Sequence, residues 1–144
     1  MKPTVNRQHT TIMAQLQSGL PFWYLVTSSA IIASGSQPVN LTLDAETDFR
    51  WVGTLGRCSL DAVANIRPNN FSVQMSISGG GQNFSSGQVP QSLFCGVAEN
   101  PFWLPSPIVM QARTILTFNI VNLDSGNANT VTLALFGYKI PRSV

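Results

Sequence analysis

Few side chains in this sequence have the chemistry for catalysis. Its one histidine, His9, lies in a polar N-terminal stretch. A hydrolase needs a nucleophile, a base and usually an orienting acid, and a lone histidine in such a stretch reads as solvated. The only thiols are Cys58 and Cys95, and nothing beside either one in the sequence suggests an activated thiolate. Their spacing fits no metal motif, and two are too few for a disulfide framework. They read as small buried hydrophobes, with pairing left open because it depends on where the fold brings them. The one acidic cluster, Asp44-Ala45-Glu46-Thr47-Asp48, holds the carboxylates a glycosidase needs and the oxygens calcium takes. It falls between two expected strands and lacks the glycine-bearing spacing of a calcium loop, so it reads as a solvated connection. Gly79-Gly80-Gly81 is followed by Gln82, Asn83 and Phe84. A phosphate cradle needs a lysine and a helix there, so the glycines read as a hairpin tip. No cofactor fingerprint appears. The expectation is a protein without catalytic residues, cofactor or metal, and not an enzyme.

The aromatics are the remaining candidates. Phe22-Trp23-Tyr24 and Phe102-Trp103 are runs of adjacent rings, each preceded by a proline. Neighbours along a strand point to opposite faces, so these rings cannot all enter one core. Phe22, Trp23, Tyr24, Phe102 and Trp103 are therefore the candidate interface residues. Exposed aromatic surface marks a docking face or a sugar platform. A second sheet or the N-terminal stretch covering them is the structural alternative, and both stay open.

The elements that position these rings read as β almost throughout. Residues Phe22 to Ile32 are rich in aromatic and β-branched types and end at the turn cluster Ser34-Gly35-Ser36. Val39, Leu41 and Leu43 alternate with polar residues, the period of a half-buried strand. Phe49, Trp51 and Leu55 share one parity in the next run, and Phe71, Val73, Met75 and Ile77 in the one after. Leu116, Phe118 and Ile120, then Val131, Leu133 and Leu135, flank the turn-forming Asp124-Ser125-Gly126-Asn127, a pattern that predicts an antiparallel hairpin. Gln88 to Pro107 holds four of the nine prolines, which confines it to loop and edge. The count is about seven to nine short strands with no helix of convincing length. That predicts an all-β fold, an antiparallel β-sandwich of jelly-roll-like kind. Residues 1–20 read as an N-terminal arm, with a helical turn near Thr11 to Gln17 or an extended path equally open, and 21–144 as one sandwich domain.

Composition points the same way. Of 144 residues, 8 are Lys or Arg and 6 are Asp or Glu, a charged fraction of 10% against a usual ~25%. The polar surface comes instead from 15 Ser, 11 Thr, 11 Asn and 9 Gln. An isolated domain usually relies on charge for solubility, so an amide-and-hydroxyl surface suggests a protein that works packed against others. A net charge of +2 without a basic block argues against nucleic-acid binding. No apolar run approaches the ~18 residues of a membrane-spanning helix, and the N-terminus lacks the apolar core of a secretory signal. The sequons at Asn40, Asn70 and Asn83 carry no meaning without secretion.

A series of short motifs carries a resemblance. Pro21-Phe22-Trp23-Tyr24 opens the first strand, Asp44-Ala45 and Asp48-Phe49 begin the third, and Phe71-Ser72-Val73-Gln74-Met75 follows. Then come Gln88-Val89-Pro90, Cys95-Gly96, Pro101-Phe102 and Leu104-Pro105, before Asn129-Thr130-Val131-Thr132-Leu133 runs into Gly137-Tyr138-Lys139-Ile140. In this order they resemble small virion proteins of tailed bacteriophages, of the capsid-decoration (cement) or head-associated kind. The resemblance spans roughly Pro21 to Ile140, and it rests on the order of the motifs rather than on any one of them. It implies a structural protein, made in the host cytoplasm and carried on the capsid surface of the virion. Its partners would be the major capsid protein and copies of itself as a homo-oligomer, with neither nucleic acid nor membrane. A tail, collar or head–tail joining protein and a carbohydrate-binding module for a host surface are the competing expectations.

Overall fold

A computed structural model describes residues 19–60, 70–97 and 99–142. Among these residues, nine strands and one helical turn follow in order: β1 (Leu20–Thr27), β2 (Ser36–Thr42), β3 (Thr47–Leu60), β4 (Phe71–Ile77), β5 (Gln82–Asn83), β6 (Val89–Pro90), α1 (Gln91–Phe94), β7 (Phe102–Met110), β8 (Ile115–Asn122) and β9 (Asn129–Pro141). The front sheet has the order β1-β9-β3-β7; the back sheet has β2-β8-β4-β5, with β6 also on β4. All strand pairs are antiparallel. Except for β4 to β6, successive strands alternate between sheets, the wrapping of a jelly roll. The expected β-sandwich is the fold. The expected arm, with its helical turn near Thr11 to Gln17, lies outside the described residues apart from its last two positions, and Leu20 already belongs to β1.

Period-two alternation explains the core. Tyr24 and Val26 of β1, Phe49 and Trp51 of β3, and Val131, Leu133 and Leu135 of β9 meet Phe71, Val73 and Met75 of β4 and Leu116, Phe118 and Ile120 of β8 in one buried cluster. Each such side chain contributes roughly 1.5–3 kcal/mol by leaving water. The triple glycine forms the β4–β5 turn as expected, with Gly79 and Gly81 at φ +81° and +66°. The prolines of the 88–107 segment also act as expected. β7 is an edge strand, and its pairing with β3 lapses between Trp103 and Ile108, the stretch that holds Pro105 and Pro107.

Two expectations are corrected. The strands around Asp124–Asn127 are not a hairpin: β8 belongs to the back sheet and β9 to the front. Alternation tells which face of a strand is buried, not which sheet it joins. The second correction is at Leu55, which does not share a face with Phe49 and Trp51. A bulge between Trp51 and Gly53 shifts the β3–β9 register, and an extra residue inverts the facing of all that follow. Thr54 and Cys58 are therefore buried, while Leu55 turns outward.

Buried amides hold the crossing from β8 to β9. The Asn122 side-chain amide donates to the carbonyls of Ile31 (3.0 Å) and Asn127 (2.9 Å). Its Oδ1 accepts from the Asp124 backbone N–H (3.0 Å) and from Asn129 Nδ2 (2.9 Å). The Asp124 carboxylate in turn accepts from the backbone N–H groups of Gly126 (2.9 Å) and Asn127 (3.1 Å). These bonds, the Gly126 N–H first, hold its carboxyl below the usual carboxylate range. Replacing Asn122 by Ala leaves several buried groups unpaired. We expect a loss of about 2–3 kcal/mol, read as a lower urea midpoint at unchanged m-value. The Asp48 carboxyl is also held low, by the Ala112 N–H and then by Arg142. A carboxylate whose folded pKa is depressed stabilises fully above its unfolded value, and loses that contribution as pH falls through the folded one. Stability should therefore be level from pH 7 to 5 and fall below about pH 4. Asp124→Asn should be less stable at pH 7 and show a shallower acid decline in thermal melts.

Candidate functional site

The five aromatic candidates divide by facing. On β1, Phe22 and Tyr24 point inward. The rings of Phe22 and Tyr24 meet edge-on at 4.8 Å, as do those of Tyr24 and Phe49 at 4.9 Å. Lys139, ion-paired with Asp44, sets its ammonium 3.5 Å from the centroid of the Phe22 ring. Tyr24 is buried, and its hydroxyl accepts from the Asp44 N–H. On β7, Phe102 turns inward toward Phe94 of α1. Parity directs Phe22, Tyr24 and Phe102 to the core side, where Tyr24 is buried and Phe22 and Phe102 are half-buried. Trp23 and Trp103 face out, 55% and 61% exposed.

The fold brings these two tryptophans onto one surface. Trp23 pairs with Phe136, Phe136 with Gly53, and Gly53 with Trp103. One cross-strand row thus runs over all four strands of the front sheet. The Phe136 and Trp103 rings meet edge-on at 5.1 Å, the geometry that the aromatic quadrupole favours. Around the row lies a groove of about 470 Å³, lined also by Pro21, Val52, Leu55, Pro101, Gly137 and Tyr138. Two glycines permit it. A Cβ on Gly53 would overlap the Phe136 ring, and one on Gly137 would strike the backbone oxygen of Arg50. The bulge completes the floor by leaving Val52 and Leu55 on the outer side.

The groove is suited to stacking and apolar contact. Among the described residues, no carboxylate, thiol or imidazole lines it. The acidic loop lies elsewhere, with Asp44 paired to Lys139 and Asp48 to Arg142. Among the described residues no three His, Cys, Asp or Glu side chains gather as a metal site. No disulfide joins Cys58 and Cys95, and burial pushes the Cys95 thiol up to about 12, so it stays protonated at neutral pH. His9 lies outside the described residues. Phe136, Tyr138 and Val52 were missed in the sequence, since only the register and the bulge put them beside the tryptophans.

Compared with family models, with curated proteins and with solved structures, the chain matches none.

Gly53→Ala should push the Phe136 ring off its edge-on contact with Trp103. The expected cost is about 1–3 kcal/mol in urea unfolding, partly restored by adding Phe136→Leu.

Proposed function

We propose that this chain is a structural protein of a virion, a capsid decoration or cement protein that binds the shell of a tailed bacteriophage and copies of itself. The observation that carries the reading is the aromatic groove on the outer face of the front sheet. Soluble monomers rarely leave a contiguous apolar patch open unless it binds something, and tryptophan is among the residues that most often anchor interfaces. The contrast with the back sheet adds support. Its outer face carries Ser36, Asn40, Thr42, Gln74, Ser76, Thr117 and Asn119 around the apolar Pro38, Ile115 and Val121, with no aromatic ring and no charge. The motif order from Pro21 to Ile140 supplies the shell as partner. In this role the work is binding rather than catalysis. Each copy adds contact area across a subunit boundary, and many modest contacts sum over the particle.

A second reading rests on the same groove: two exposed tryptophans on one surface are also a stacking platform for sugars, as in a carbohydrate-binding module. Trp23→Ala together with Trp103→Ala separates these. Both rings are more than half exposed, so the fold should survive. Association with shells stripped of the protein should weaken by at least about thirtyfold, as loss of a hot-spot aromatic does, in co-sedimentation. Unchanged co-sedimentation overturns shell docking through this groove, and glycan-array hits lost in the double variant favour the sugar reading. Copy number in purified virions tests the location. Hundreds of copies fit cement, whereas one or a few favour a tail, collar or head–tail joining role.

A further inference from the structure

We infer that β1 is a dimerisation edge, pairing antiparallel with β1 of a second copy about a two-fold axis at Leu25. The inference stands on the edge itself and holds whatever the groove docks on.

A sheet edge presents unpaired backbone groups, and natural sandwiches blunt such edges with prolines, charges, bulges or short strands. Three edges of this protein are blunted. β7 carries Pro105 and Pro107 where its pairing lapses. β2 carries Pro38 as its third residue. On the remaining side of the back sheet, β5 and β6 have two residues each. β1 is the exception. It runs for eight residues, Leu-Pro-Phe-Trp-Tyr-Leu-Val-Thr, with no charge and its one proline in the second place. Among the described residues it pairs only with β9.

The backbone accounting shows what the edge offers. The Ser28 N–H donates to the Val131 carbonyl in the β1–β9 register. Antiparallel pairs alternate between hydrogen-bonded and not, so the even-numbered residues of β1 turn to β9. The odd ones, Pro21, Trp23, Leu25 and Thr27, turn their N–H and C=O groups outward. Three donors stand in a row, at Trp23, Leu25 and Thr27. Self-pairing has a register that uses all three. With Leu25 opposite Leu25 of the second copy, Trp23 of each copy faces Thr27 of the other, and all six N–H groups meet a carbonyl. A register centred on Trp23 instead sets Leu25 against Pro21, which has no N–H. The side chains agree: Leu25 is 65% exposed, and the pairing sets the two leucines side by side. The isologous contact closes on itself, so it gives a dimer rather than a fibre. It also joins two front sheets into one continuous eight-stranded face with two grooves.

The test uses the full chain in sedimentation velocity over a wide concentration range, where a reversible monomer–dimer equilibrium is expected. Leu25→Pro removes the central donor without touching the β9 ladder, a position where edge strands accept proline. Leu25→Lys sets like charges at the two-fold through an exposed side chain. Both should be monomeric, with the circular dichroism of the parent. Leu25→Cys should give a covalent dimer under oxidation, since hydrogen-bonded antiparallel partners lie about 5.5 Å apart at Cα, within disulfide range. Thr27→Cys should not. A parent that is monomeric throughout overturns the inference. So does a Leu25→Lys variant that dimerises as the parent does, or cross-linking through Cys at 27 but not at 25.

Discussion

Strands β3 and β9 pair from Thr47↔Pro141 to Leu60↔Asn129, and one irregularity after Trp51 decides which side chains each half sends inward. Without the extra residue, the parity that buries Phe49 and Trp51 would bury Leu55 and expose Cys58. With it, Thr54 and Cys58 enter the sandwich, while Val52 and Leu55 remain outside beside Phe136. Core and groove are therefore two products of one local constraint. The glycines follow from it. Gly137 lets β9 pass close over Arg50, and Gly53 gives the Phe136 ring room to lie toward Trp103.

The low charge of the chain gains a spatial meaning. The back face is mostly hydroxyl and amide, with Pro38, Ile115 and Val121 among them, and is tied internally where Thr117 Oγ1 donates to Asn40 and Ser72 Oγ to Gln88. The front groove is aromatic and aliphatic, with Arg50 and Arg57 of β3 on the same outer face beside it. Burying either against a partner leaves few ions to desolvate, a cost that for charged groups often exceeds the attraction regained. Asp44 of the β2–β3 connection and Asp48 of β3 are also engaged within the chain, by Lys139 and by Arg142.

Much of the sandwich was legible because alternation is local. Val39 with Leu41, Phe71 through Ile77 and Val131 through Leu135 each declare a strand and its buried face. The partner of a strand is not local, and so β8 and β9 looked like a hairpin when Asn122 and Asn129 in fact brace a crossing between sheets. The candidate site was legible by half. Adjacent rings required some to face outward, which is true of Trp23 and Trp103. Which ones did so depended on registers that span more than a hundred residues, Trp23 against Phe136 among them.

That long span has a consequence for how the molecule comes into being. β9 lies between β1 and β3 in the front sheet, so among the described strands β1 has no partner, and β3 only β7, until the segment from Asn129 to Pro141 exists. In the back sheet, β2 likewise waits for β8, whereas β4 has the two-residue strands β5 and β6 before β8 arrives. On the ribosome, β1 and β2 emerge with their mates unsynthesised, and the two layers are completed only once β8 and β9 follow. Distant pairings of this kind close slowly, and the apolar β1 edge stays open to other chains in the meantime.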